Sequence, residues 1–201
     1  MKKILATILL SSVLTTGLMA TCISAETKED IKFREFEWGA TLDEVKEKEI
    51  KPSMKEKEDY IVYDNLLIID KQTVAGVDCI IDFEFDKNGG LTKGTYTLNE
   101  KHTNEQEYYT DFKTIIEKLT EKYGEPDLNQ EVWTGDLYKD RPDKQGMCVI
   151  TGNLKVIAQW KDKDGNEIGA FLTGDNYECS GSLYYISKEY NDSYKDDTSG
   201  L

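Results

Sequence analysis

The chain has 201 residues, and 39 acidic against 25 basic side chains give it a formal charge of −14. A surface this acidic repels the phosphates of nucleic acid, so we do not expect a nucleic-acid-binding protein. Hydrophobic residues make up 38% of the chain, which suits one or two small cores better than a large enzyme.

Residues 1–25 have the pattern of a secretory signal peptide. Two lysines precede a largely apolar run over residues 4–20, and the small residue Ala25 follows shortly after. Cleavage after Ala25 would release a chain that begins at Glu26. Its charge would be −16, because the leader holds two lysines and no acids. We therefore expect a secreted, extracellular protein.

Cys22 offers an alternative, in which the protein is lipid-anchored to the cell surface through this residue. The preceding Thr21 is bulkier than the small residue that a lipoprotein signal usually carries there, so we favour release. No other segment approaches the ~20 apolar residues that a membrane span requires, and we expect no membrane span.

The first part of the remaining chain, residues 26–100, predicts one helix followed by antiparallel strands. Thr41 and Glu44 have the spacing of a capping box, so a helix is expected over residues 41–49, ending before Pro52. Residues 60–70 and 74–86 are predicted strands. A turn over residues 86–90 should then lead to a returning strand over residues 91–98.

The strand over residues 74–86 carries the clearest alternation. Apolar residues at positions 77, 79, 81, 83 and 85 alternate with mostly polar ones. This period of two places Cys79 in the core as a small hydrophobic residue.

Residues 101–190 predict the same order again, beginning with a helix over residues 104–123. Apolar residues step along it by three and four positions, and Gly124-Glu125-Pro126 ends it. Strands are expected over residues 131–137, 147–151, 154–160, 167–172 and 182–187. Residues 191–201 are polar and without period, so we expect a flexible tail.

This order predicts an α+β protein of two similar helix-plus-antiparallel-sheet units. The segment Trp38-Gly39-Ala40-Thr41-x-x-Glu44-Val45 resembles the Trp-Gly-x-Ser/Thr-x-x-Glu-Val motif of uncharacterised secreted proteins and lipoproteins of Gram-positive gut bacteria. Tyr123-Gly124-Glu125-Pro126 matches the end of their second helix. At the level of fold, the units resemble those of β-lactamase inhibitor protein and of small outer-membrane assembly lipoproteins.

Trp38 has a sufficient structural explanation, because an aromatic residue just before a helix cap can pack onto the first turn. His102, the only histidine, lies in a polar run before a helix, and we expect a surface or near-cap histidine rather than a catalytic base. Nucleophile elbows, phosphate loops and dinucleotide motifs are missing from the sequence. We therefore predict no enzyme, no catalytic residues and no cofactor.

Residues 162–167, Asp-Lys-Asp-Gly-Asn-Glu, alternate oxygen-bearing side chains as a calcium loop does. An EF-hand needs a glutamate at its twelfth position, and here that position is Thr173. We predict a solvent-facing hairpin tip and no metal site. Export would permit a disulfide between Cys148 and Cys179, and the sequence leaves that bond open.

Binding is the function that these observations favour. We expect a non-catalytic module that recognises a protein or peptide on a sheet face rich in aromatic residues. The alternatives are an envelope-associated structural factor and a weak hydrolase.

Overall fold

A computed structural model describes residues 29–196, with side chains as far as Ser193. The predicted signal peptide and Cys22 therefore lie outside the described residues. The elements in chain order are α1 (Leu42–Glu49), β1 (Tyr60–Tyr63), β2 (Leu66–Val74), β3 (Val77–Phe85), β4 (Leu91–Leu98), α2 (Gln106–Tyr123), β5 (Leu128–Trp133), α3 (Gln145–Ile150), β6 (Leu154–Lys161), β7 (Glu167–Asp175), β8 (Glu178–Ile186) and α4 (Lys188–Asp196).

The eight strands form one antiparallel sheet in the order β1-β2-β3-β4-β8-β7-β6-β5. This confirms the α+β class with an antiparallel sheet. Each half begins with a helix and contributes four strands, and α3 lies between β5 and β6 in the second half. Strand β4 joins the halves by pairing with β8. The strands of both halves therefore share one continuous antiparallel sheet.

The register at the β4–β8 joint is symmetrical. Gly94 lies opposite Tyr185, Leu98 lies opposite Gly181, and the pair Tyr96–Leu183 is midway between them. Each of the two central strands thus places one glycine two positions from this middle pair, opposite a large side chain of the other strand.

Two helices form where the sequence predicts them. At the start of α1 the hydroxyl of Thr41 accepts from the Glu44 N–H, and the Glu44 carboxylate accepts from the Thr41 N–H at 2.8 Å, so the capping box is confirmed. Helix α2 buries one stripe and ends at Gly124, whose φ of 76° suits glycine. Its buried residues are Phe112, Ile115, Ile116, Leu119 and Tyr123.

Helices α1, α2 and α3 and the segment before α1 contribute to a single core on one face of the sheet. Strand residues of alternate positions fill this core, and Cys79 is among them, fully buried as predicted. No helix among the described residues is long and apolar enough to cross a bilayer.

Several predicted boundaries are wrong. Residues 147–151 belong to helix α3 rather than to a strand. The strand predicted over residues 60–70 is a hairpin of β1 and β2, turned at Asp64 with a φ of 46°. Strand β5 ends at Trp133, so it occupies residues 128–133 rather than 131–137. The predicted tail is helical to Asp196 in α4.

Candidate functional site

The face of the sheet that lies opposite the core is called here the open face. Pairing between neighbouring strands places one row of residues across five strands of this face. All of them are half-buried or exposed. The row consists of Ile80, Thr97, Ser182, Phe171 and Ile157.

Two aromatic rings lie at the centre of the open face. Tyr184 and Phe171 stack with centroids 5.4 Å apart and an interplanar angle of 21°. The Tyr184 ring covers Gly169 on the neighbouring strand, and a Cβ atom added to Gly169 would lie 2.0 Å from the ring. The glycine therefore provides the space in which the ring lies against the sheet. We call Phe171 and Tyr184 the aromatic platform.

On the open face, strand β3 carries the carboxylates of Asp82 and Glu84. Glu84 pairs with Lys93, whose Nζ lies 2.6 Å from Oε1. The Asp82 carboxylate receives no hydrogen bond from the described residues. Burial, followed by the charge of Glu84, raises its pKa against a smaller opposing effect of Lys93.

The outer strands add apolar area to the open face. Ile61 and Tyr63 on β1 are 48% and 70% exposed, and Val132 on β5 is 38% exposed. Apolar side chains thus extend across the face from one edge strand to the other.

His102 is neither exposed nor isolated, which corrects part of its prediction. It lies close to the start of α2, as expected, but its side chain is only 13% exposed. Its Nδ1 is 3.1 Å from Glu107 Oε2 and its Nε2 is 2.8 Å from Asp111 Oδ2. The Nε2 contact lacks hydrogen-bond geometry. The ring also packs edge-on against Tyr108.

A small cavity of about 30 Å³ adjoins His102, with room for about one water molecule. Cys179 on β8 also lines it. Burial raises the pKa of this thiol to about 11, against a smaller opposing effect of Lys101. The thiol is therefore protonated at neutral pH, and both nitrogens of His102 already face carboxylates. Cys179 therefore lacks the thiolate form that a cysteine nucleophile requires.

The three cysteines of the described residues, Cys79, Cys148 and Cys179, are all free thiols. Cys148 is buried in α3, where its Sγ donates to the Leu137 carbonyl at 3.3 Å.

The turn over residues 162–166 connects β6 to β7 as a hairpin, as predicted. The expectation that its acids all face solvent is wrong for Asp162, which is 7% exposed. Its carboxylate accepts four hydrogen bonds of 2.9 Å from three residues, namely Ile31, Asp164 and Asn166. Burial alone would raise the pKa of Asp162, but these bonds lower it overall.

Trp38 has the structural role that its position predicts. Its indole N–H donates to the Ile31 carbonyl at 2.9 Å, and the ring packs against the core. A shallow groove beside it is lined by several glutamates, of which Glu37 pairs with Lys32 and Glu44 caps α1.

Within residues 29–196, no group of three or more His, Cys, Asp or Glu side chains is arranged to hold a metal ion. Searches against protein-family models, curated proteins and solved structures give no match to this chain.

The sequence alone did not reveal the aromatic platform, nor the cluster of His102 with Glu107 and Asp111, and the reasons differ. Phe171 and Tyr184 meet only through the pairing of β7 with β8, which sequence spacing does not show. The cluster did leave a signal, because Glu107 and Asp111 are four residues apart and therefore share one face of α2.

Proposed function

We propose that the protein is an exported, non-catalytic binding module that recognises a polypeptide through the open face of its sheet. The observation that carries this proposal is the aromatic platform, which lies on a sheet face away from α1, α2 and α3. Both rings are partly buried, and contiguous apolar area on a protein surface often marks an interaction site.

Physical chemistry favours a protein or peptide as the ligand. Aromatic rings held rigidly by the sheet supply a large contact area and lose little conformational entropy on binding. Ile80 and Ile157 extend this apolar area along the same row. Asp82 offers a carboxylate to a basic group, and the formal charge of −14 favours a basic partner over an acidic one.

The chemistry around His102 and Cys179 supports a binding role over the alternative of a weak hydrolase. Burial keeps the Cys179 thiol protonated, so it is not the thiolate that a cysteine nucleophile requires. A hydrolase built on acids would instead need two carboxyl groups converging in a cleft.

We further propose that the two halves are repeats of the kind found in β-lactamase inhibitor protein. Each half begins with a helix and contributes four strands, and Gly94 and Gly181 take equivalent positions about the pair Tyr96–Leu183, which supports this. The pattern of residues 1–25 supports export.

Co-purification with matched variants tests the proposal. Tagged wild-type protein, Phe171→Ser and Leu137→Ser are each recovered from culture supernatant and cell-wall fractions. Leu137 is an apolar residue, 55% exposed, in the loop between β5 and α3, and serves as the control. We expect wild type and Leu137→Ser to retain the same polypeptide and Phe171→Ser to retain at least about tenfold less. Equal recovery by all three, or recovery of no polypeptide, would contradict the proposal.

A further inference from the structure

The two edges of the sheet differ in how well they are protected. Edge strand β1 has only four residues, and the Tyr60 carbonyl on its outer side already accepts from the Lys57 N–H at 2.7 Å. Edge strand β5 has six residues, with neither proline nor lysine among them. Short strands, prolines and lysines are the usual means of blocking further strand pairing, and β5 has none of them.

The backbone of β5 has hydrogen-bonding groups that point away from the sheet. The Thr134 N–H donates to the Asn153 carbonyl at 2.9 Å, and alternation along the strand then directs Leu128, Gln130 and Val132 towards β6. The N–H and C=O groups of Asn129 and Glu131 consequently point outwards. Within residues 29–196 nothing hydrogen-bonds to them.

We propose that β5 pairs antiparallel with β5 of a second copy of this chain, about a two-fold axis at Gln130. In this register Leu128 lies opposite Val132 of the second copy, on the open face. Asn129 lies opposite Glu131 of the second copy, so an amide donor meets a carboxylate. Both contacts occur twice, since a two-fold interface repeats each pair. The segment is therefore complementary to itself in apolar area and in hydrogen bonding.

Electrostatic repulsion favours an axis at Gln130 over an axis one residue along, at Glu131. Centring the axis on Glu131 would place two identical carboxylates directly opposite each other, which is destabilising. With the axis at Gln130, no like charges are opposed. Glu131 also accepts from the Tyr109 hydroxyl at 2.5 Å and lies 3.8 Å from Lys113 Nζ, which reduces its repulsion of a second copy.

Pairing about this axis makes one sheet from two and keeps both open faces on the same side. The formal charge of −14 on each chain opposes association, so the dimer strengthens as salt screens that repulsion. The inference does not depend on the proposed function, because backbone pairing along β5 requires no polypeptide bound to the open face.

Sedimentation velocity over a range of concentrations and salt tests the pairing. The proteins are wild type, Gln130→Lys, Gln130→Glu, an equimolar mixture of these two variants, and Ile61→Lys on the opposite edge as the control. Gln130 and Ile61 are both exposed, so circular dichroism should show that each variant folds.

We expect wild type and Ile61→Lys to dimerise alike, and more strongly at higher salt. Each Gln130 variant alone should dimerise at least about tenfold more weakly, because like charges meet at the axis. The mixture should recover the dimer, since lysine then faces glutamate. Three results would overturn the inference: wild type that stays monomeric throughout, a dimer insensitive to Gln130, or a mixture that remains monomeric.

Discussion

The ring of Phe33 lies directly on Gly94 at the joint between the two halves of the sheet. A Cβ atom added to Gly94 would come within 1.9 Å of the ring. Phe33 is fully buried, and its centroid is 5.0 Å from those of Phe83 and Tyr96 and 5.3 Å from that of Tyr185. The segment before α1 thus packs over the pairing of β4 with β8.

Gly94→Ala should destabilise the protein through this contact. The new methyl group must displace Phe33 from a filled core, which costs about 1–3 kcal/mol of unfolding free energy. Urea denaturation measures this cost, with Thr97→Ala on the exposed side of the same strand as the control. A Gly94→Ala protein as stable as Thr97→Ala would show that Phe33 does not depend on the glycine.

Asp162→Asn should also destabilise the protein, because an amide cannot accept all four hydrogen bonds that the carboxylate accepts. Loss of these bonds at a buried position costs about 1–3 kcal/mol. Thermal or urea unfolding measures the loss. Asp164→Asn, in the same turn, is the control and should be nearly neutral.

The cost of Asp162→Asn should depend on pH in a defined direction. Because the folded-state pKa of Asp162 is lowered, its carboxylate contributes full stability above the unfolded pKa of about 3.9. That contribution is lost as the pH falls through the lower folded-state pKa. The stability difference between wild type and variant should therefore be constant near neutral pH and shrink in acid. A difference that grows in acid would contradict the assignment.

The same turn should not bind calcium. Asp162 already uses its carboxylate for hydrogen bonds, whereas a calcium ion requires roughly six to eight oxygen ligands. We expect the same melting temperature in millimolar calcium and in chelator, apart from a small screening effect that magnesium reproduces. A rise specific to calcium and abolished by Asp164→Ala would reveal a metal site.

Local chemistry predicted a large part of this fold. The capping box of Thr41 and Glu44 and the apolar stripe of α2 each depend on residues within one or two turns. The alternation around Cys79 likewise predicted a strand and its buried side. These signals survive in the structure because tertiary packing reinforces them.

The sequence-based predictions failed in two situations. In one, a short segment fits both strand and helix; in the other, contacts between residues far apart in sequence determine the structure. The apolar run at residues 147–151 is too short for its period to separate strand from helix. The pairing of β4 with β8 joins residues almost 90 positions apart and therefore has no local signature. The aromatic platform depends on the same kind of long-range pairing, so the candidate site could not be located from spacing alone.

The site at which the predicted signal peptide is cleaved is a separate prediction. Cleavage after Ala25 should give a chain that starts at Glu26 and carries no lipid. Intact-mass spectrometry of secreted material decides between the two processing routes. A chain that starts at Cys22 with a diacylglyceryl group would show that the protein is a lipoprotein.

Site-specific photo-crosslinking tests polypeptide binding by the open face most directly. A photoreactive phenylalanine analogue replaces Thr97, an exposed residue in the same open-face row as Phe171, or Glu117, an exposed residue of α2 on the opposite side. The account predicts a crosslinked polypeptide from position 97, none from position 117, and loss of the first adduct in Phe171→Ser. Adducts of equal yield at both positions, or none at position 97, would contradict it.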